Sequence, residues 1–377
     1  MLIGIDASRA NKPEKTGVEW YAWHLIRELK KLTKGDKNSW VLYTREPLKG
    51  DLAHLPENWY EVRAKWPPRR MWTQVRMSWE MWRRPCDVLF VPAHVLPPIR
   101  PERSVVTIHD VGFRRMPHLY KQADKRYHEM TTRNIVKTSA RIITVSAFSG
   151  QEIANLYKAD PSRIAITHLG IDHTIYKPFD DSSAVEEALR KYHIPKPYFF
   201  YIGRLERKKN IVNLVKAFDA FKVHRGLGDP ANLVLAGKPG YMYSEIKKQI
   251  QASPYKDQII ELGYVPEDDV PALLNGASAY LQVTWYEGFG IPPIQAMACG
   301  TPVIAADNTS MPEVIGRENA LFVPPDGIDK TARAMERIMT DPALVASLRE
   351  KGIERAKRFT WEETARKTLP VLTQWIG

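Results

Sequence analysis

Cysteine is nearly missing from this 377-residue chain. Cys86 and Cys299 are the only two, too few for a disulfide framework, and no Cys/His cluster has the spacing of a zinc site. Long apolar runs are missing as well. The longest, such as Val88 to Val91 and Tyr198 to Ile202, fall far short of the roughly 20 residues a membrane-spanning helix needs, which excludes an integral membrane protein. The opening Met-Leu-Ile-Gly-Ile-Asp has no basic stretch ahead of an apolar segment and no small-residue cleavage site. A secretory signal is therefore not expected, and the sequence points to the cytoplasm. No repeat or low-complexity stretch stands out, and 44% hydrophobic with 26% charged residues is the composition of a soluble globular protein.

What the chain does have is length for two domains, at roughly 150 residues each, and an uneven charge. Of the net +12, residues 1–196 carry +11 and residues 197–377 only +1. A positive half can attract nucleic acid, an anionic membrane or a phosphorylated substrate, or can simply be a solvated basic face, and charge alone does not choose. Both halves alternate short β-branched runs with longer amphipathic stretches, the pattern of βα units on a parallel sheet. Strands are expected at Leu2–Ile5, Trp40–Tyr43, Val88–Val91, Val105–Ile108 and Arg141–Val145, with a helix over Thr16–Leu32 and Ser146 capping another. After acidic, Ser- and Pro-rich sequence near Pro178 to Pro197 the alternation restarts. It runs through strands Tyr198–Ile202, Leu233–Ala236, Gln258–Leu262, Ala279–Thr284 and Val303–Ala306, with helices between. The expected fold class is α/β, two doubly wound Rossmann-like domains, residues 1–178 and 193–359, with sites in the loops after the strands.

Three such loops carry chemistry. In Trp285-Tyr-Glu-Gly-Phe-Gly-Ile-Pro-Pro-Ile-Gln295, Gly288 and Gly290 let backbone approach a ligand, and Pro292 opens a helix whose free N–H groups suit an anion. Glu287 and Gln295 add a carboxylate and an amide for a polyhydroxylated ligand; the plainer reading is a tight strand-to-helix turn. Gly203-Arg-Leu-Glu-Arg-Lys-Lys-Asn210 crowds four basic residues before a helix, so that Arg204 and Lys209 could clamp a diphosphate or merely be solvated. The turn Gly237-Lys238-Pro239-Gly240 could border a base or just reverse the chain. Between Trp66 and Arg84, Trp72, Val75, Trp79 and Trp82 recur at three- and four-residue spacing among Arg69, Arg70, Arg76, Arg83 and Arg84. That pattern fits either an anionic lipid surface or, the favoured expectation, a core-packing helix whose arginines line an acceptor cleft.

Glu287-Gly-Phe-Gly followed by Ala-Met-Ala-Cys-Gly-Thr-Pro-Val, with Gly203-Arg204 and Lys209-Asn210, resembles the nucleotide-sugar glycosyltransferases of family 4, group 1 type, with the GT-B fold. Val145-Ser-Ala-Phe-Ser149, His168-Leu-Gly-Ile-Asp172, Leu235-Ala-Gly-Lys238, Ser310-Met-Pro-Glu-Val314 and Phe359-Thr-Trp-Glu362 resemble it in the same order. The resemblance implies two domains facing across a cleft, an acceptor on the first and a nucleotide sugar on the second. It also implies that helix 360–377 packs back on the first domain. Arg204 and Lys209 then match the pair on the donor diphosphate, and Glu287 the first acid of E-x7-E. Gly203, Gly237, Lys238, Gly288, Phe289, Gly290 and Ile291 fall on donor-binding loops, and Gly17 on the glycine loop near the phosphates. The second acid of E-x7-E is replaced by Gln295, a weaker acceptor than a carboxylate.

His109, after the strand Val105–Ile108, matches the family's active-site histidine, with Asp110 either orienting it or capping the next turn. The resemblance further implies retention of configuration without cofactor or metal, in keeping with the absence of any D-x-D triplet. Within the family, Thr107-Ile-His-Asp-Val-Gly-Phe-Arg-Arg-Met-Pro117 looks like bacterial polysaccharide mannosyltransferases, which favours GDP-mannose over UDP-glucose. The expected acceptor is a glycan or lipid-linked glycan, with peripheral contact to an anionic membrane at its inner face and no nucleic-acid partner. An epimerase of the same fold, or a non-catalytic sugar-nucleotide-binding protein, are the alternatives.

Overall fold

Runs such as Val88-Leu-Phe-Val91 and Leu233-Val-Leu-Ala236 are apolar at every position, as strands covered on both faces of a parallel sheet must be, and each is buried along its length. The computed structural model describes residues 1–66, 71–138, 140–226 and 228–375. Strands β1 (Leu2–Asp6), β2 (Ser39–Thr44), β3 (Trp59–Arg63), β4 (Val88–Val91), β5 (Ser104–Thr107), β6 (Arg141–Thr144) and β7 (Ile164–Ile166) form one sheet. Its order is β3-β2-β1-β4-β5-β6-β7, parallel throughout. Strands β8 (Tyr198–Ile202), β9 (Asn232–Ala236), β10 (Ile259–Gly263), β11 (Ala279–Gln282), β12 (Val303–Ala306) and β13 (Leu321–Val323) form the second. It runs β10-β9-β8-β11-β12-β13 and is also parallel.

Both sheets are doubly wound, as expected. The order reverses between β1 and β4 in one and between β8 and β11 in the other, and ligand crevices of such sheets open beyond the strand ends at those reversals. The sequence signal is weakest at the sheet margins. Strand β3 mixes charge with aromatics, and β7 and β13 are three residues each.

The chain divides into two compact units, one comprising Met1–Pro117, Gln122–Gly170 and the segment from Thr360 onward, the other His118–Lys121 and Ile171–Phe359. In the first, helix Gly17–Leu32 starts from a capping box between Thr16 and Glu19 and buries Tyr21, Ala22, Leu25, Ile26 and Leu29. The C-terminal helix Trp361–Thr373, capped by Thr360, belongs to this unit. Trp361 stacks on His24 with ring centroids 4.6 Å apart, and Thr364 Oγ1 donates to the His168 carbonyl at 2.7 Å. The second unit packs Phe199, Leu233 and Leu281 from its sheet against Phe218, Phe221 and Met335.

The tryptophan-rich segment departs from its core-packing expectation. Arg69 and Arg70 lie outside the described residues. Trp72–Arg76 is a π-helical turn that continues as helix Met77–Arg83. Trp72, Met77 and Met81 do enter the core, and Trp72 Nε1 donates to the Ala64 carbonyl at 2.8 Å. Val75, Trp79 and Trp82 are exposed, because the π-helical turn at Trp72–Arg76 breaks the α-helical register that would put them on one face with Trp72.

Candidate active site

In the second unit the loops after β8, β9 and β11 meet at the reversal of the sheet. Gly203 and Gly237, at φ +153° and +144°, cross so closely that a Cβ on Gly237 would lie 1.8 Å from the Gly203 carbonyl oxygen. Only glycine fits there. Beyond the crossing, Leu205 N–H donates to the Lys238 carbonyl at 3.0 Å and Gly240 N–H to the Leu205 carbonyl at 2.8 Å. The turn Gly237–Gly240 thus props the basic loop, and the Arg204 stem lies against Gly240.

Lys209 closes a short 3-10 turn, Arg207–Lys209. Asn210, at φ +61°, anchors it by donating from Nδ2 to the carbonyls of Val283 (2.8 Å) and Pro325 (2.6 Å). Thr284 Oγ1 and Trp285 N–H both donate to the Lys208 carbonyl, at 3.0 and 3.1 Å. So held, Lys209 Nζ meets Glu287 Oε2 at 2.6 Å, with both side chains more than four-fifths buried. The four basic residues are not equivalent. Arg207 lies 3.8 Å from Glu245 and Lys208 3.8 Å from Glu206, whereas Arg204 is exposed and, among the described residues, pairs with no carboxylate.

The segment Glu287–Gly290 is fixed from beneath by buried Ser310, whose Oγ donates to the carbonyls of Glu287 (2.9 Å) and Phe289 (3.3 Å). Phe289 turns its ring inward, edge-on to Phe359 at 5.7 Å. Gly290, at φ +90°, precedes helix Ile291–Ala298, on which Gln295 is half-buried. Lys238 lies over the Tyr264 ring at 4.8 Å.

In the first unit His109 follows β5. Its ring is edge-on to Tyr21 at 4.8 Å, and its Nε2 is enclosed with no hydrogen-bond partner. Burial pushes its pKa down to about 4, aided by the Arg9 charge and opposed by Asp110 and Glu19, so the imidazole is neutral at neutral pH. Asp110 Oδ1 accepts the Gly112 N–H at 2.9 Å, which is the capping role. Gly17 begins helix Gly17–Leu32, and open space surrounds its Cα. Burial works to raise the carboxyl of Glu19, but Lys12 at 2.8 Å, Thr16 and Arg9 at 3.2 Å overcome it and hold the pKa near 2.

Sequence reasoning missed two residues here. His94, on the loop after β4 at the sheet reversal, has Nε2 2.7 Å from Thr132 Oγ1, and its pKa is pushed down to about 3 by burial and then by His128. Asp6, at the end of β1, has its carboxyl raised by burial and accepts from Thr73 at 3.1 Å. A polar residue within three positions of a strand end at the reversal was the available signal for both.

Two doubly wound parallel sheets, the second ending in glycine turns around a lysine–carboxylate pair, are the frame on which the relatives of this chain are compared. Residues 15–175 match the model of glycosyltransferase family 4, and residues 184–359 that of the glycosyl transferases group 1. The O-antigen chain mannosyltransferase B of Escherichia coli is 30% identical over 295 residues, covering 78% of this chain and 76% of that one. The serotype-specific mannosyltransferase WbdA of Escherichia coli is 26% identical over 73% of this chain, which spans only 34% of that longer relative. Sucrose-phosphate synthase from Thermosynechococcus elongatus shares the fold, with a TM-score of 0.77 over 99% of this chain and 98% of that one at 20% identity. The chain belongs to glycosyltransferase family 4, group 1 type, and its relatives include bacterial mannosyltransferases.

Proposed function

We propose that this enzyme transfers mannose from GDP-mannose to a lipid-linked glycan, with retention of configuration and without a divalent ion, in the cytoplasm at the inner face of a membrane. The observation that carries the reading is the Lys209–Glu287 pair, 2.6 Å apart among glycine turns, with the exposed Arg204 on the same loop as Lys209. Two cations suit a diphosphate and one carboxylate suits sugar hydroxyls. The names of the mannosyltransferase relatives support mannose as the group moved.

In the reaction proposed, the bond from sugar C1 to the diphosphate oxygen breaks and the acceptor hydroxyl oxygen bonds C1 on the same face. The hydroxyl proton passes to the departing phosphate oxygen. Lys209 and Arg204 neutralise the charge that builds on that oxygen, a preorganised electrostatic role in place of a metal's. Glu287 accepts from the sugar hydroxyls, Gln295 from the ribose diol, and Gly203, Gly237, Lys238 and the backbone of Gly288–Ile291 border the nucleotide. His109 acts as a neutral imidazole toward the donor sugar.

The test is a thermal-shift series with GDP, UDP, GDP-mannose and UDP-glucose in EDTA, followed by NMR of the product's anomeric signal. The expected result is a rise in Tm with GDP and GDP-mannose, lost in Lys209→Ala, and release of GDP only with acceptor, giving an α-linked product. A response to UDP-glucose alone, loss of turnover in EDTA, or a β-linked product overturns the corresponding part.

A further inference from the structure

The reaction leaves the outer face of helix Trp72–Arg83 unused. Met71, Val75, Trp79 and Trp82, spaced by four, four and three residues, form one stripe, and they are 59%, 41%, 45% and 69% exposed. The stripe does not stand alone. Gln74 Nε2 donates to Tyr127 Oη at 2.9 Å, and Ile99 N–H to Ser78 Oγ at 3.3 Å, which brings exposed Tyr127, Met130 and Ile99 to the same region. Seven of the thirteen exposed large apolar side chains among the described residues therefore gather here. Scattered exposed hydrophobics need no explanation, but a gathered set marks a surface that meets something.

The charge around the stripe says what it meets. Arg83 and Arg84 are exposed at the end of the helix, and Arg126 precedes the tyrosine. The guanidinium groups of Arg76 and Arg83 lie 4.6 and 5.4 Å from the Trp79 ring, the one from the helix turn before it and the other from the turn after. A second copy of this chain seated on the stripe would set arginine against arginine. A nucleic acid would leave two indoles and a methionine in water. An anionic bilayer satisfies both halves, because indole rings settle at the boundary of headgroups and acyl chains while arginines pair with lipid phosphates.

We propose that this face seats on an anionic phospholipid bilayer, with Trp79 and Trp82 entering the headgroup–acyl boundary and Arg83 and Arg84 binding the phosphates. The proposal deepens the lipid-linked-acceptor reading and rests on it for its purpose. Its test reads binding without turnover, so that either can fail without the other.

The experiment sediments the full chain with vesicles of phosphatidylcholine alone, or of phosphatidylcholine and phosphatidylglycerol at two to one. Wild type pellets with the anionic vesicles only. Trp79→Ser with Trp82→Ser, and separately Arg83→Gln with Arg84→Gln, each weaken binding by about tenfold or more, and the arginine pair also flattens its salt dependence. Val223→Ser, which removes an equally exposed side chain of the other unit, changes nothing. Unchanged melting curves show that the variants fold. Should either pair fail to fold, brominated phosphatidylglycerol must quench the tryptophan emission of wild type. Failure to pellet with anionic vesicles, equal pelleting of all variants, absence of quenching, or a wild-type dimer that Trp82→Ser makes monomeric overturns the proposal.

Discussion

The ends of the two sheets are built from similar parts and tuned in opposite directions. Glu19, in the first unit, is met by Lys12, Arg9 and Thr16, and its carboxyl is held near pKa 2. Glu287, in the second, is met by Lys209 alone among the described residues. A carboxylate can accept about four hydrogen bonds. Glu19 spends that capacity on holding its own loop and helix start, whereas Glu287 retains most of it for a ligand. The basic residues divide likewise. Arg207 and Lys208 have local carboxylates within 4 Å, while Arg204 is left to face solvent. The strand end that carries His109 instead presents a neutral, enclosed imidazole. Charge near a strand end thus does not by itself mark a ligand site; what sets the second unit apart is charge left incompletely answered.

Removing one partner of the Lys209–Glu287 pair breaks the contrast most severely. Lys209→Ala should lower kcat/KM by on the order of 10²- to 10³-fold, measured by GDP release, and should also lower Tm, because it leaves the mostly buried Glu287 carboxylate without its counter-charge. Glu287→Ala should cost nearly as much, and the double variant should fall well short of the product of the two losses, since the residues act as a unit. Fully additive losses would mean that the two residues act independently and not as a pair. Glu19→Gln is the counterpart in the first unit and should reverse the pattern, lowering Tm more than it lowers turnover.

His109 sharpens the contrast through pH. Its folded pKa of about 4 lies below the 6.5 usual for histidine, so between those values the unfolded chain binds the extra proton. This group's contribution to stability is therefore present above about pH 6.5 and is lost as pH falls toward 4. His109→Gln lacks that titration, so its Tm should gain on wild type across the same window; parallel Tm curves would place the imidazole in water. The smallest effect is expected at Gln295. Gln295→Glu should tighten donor binding a few-fold by supplying a charged acceptor, and unchanged or weaker binding in calorimetry would remove the ribose role.

The doubly wound pattern was legible because buried parallel strands are apolar at every position, as Val88–Val91 and Leu233–Ala236 show. Strands β3, β7 and β13 were not, since short or mixed segments at a sheet margin owe their shape to a neighbour. At the site, Arg204, Lys209 and Glu287 could be picked out as residues after strands, but that two of them form an ion pair depends on Asn210 and Ser310 fastening the loops, a long-range fact. The helix from Trp72 misled for another reason. Periodicity identifies an apolar face, but not whether the core or the surroundings cover it.

The segment from Thr360 onward completes a unit whose other parts end at Gly170. During synthesis the unit begun first must therefore finish last. Its helix Gly17–Leu32 waits through about 330 intervening residues for Trp361 to stack on His24, while most of the other unit, encoded between Gly170 and Thr360, can fold as soon as it leaves the ribosome. A premature stop shortly before Trp361 should accordingly spare the second unit and leave the first aggregation-prone, a polarity of damage opposite to that of a simple two-domain chain.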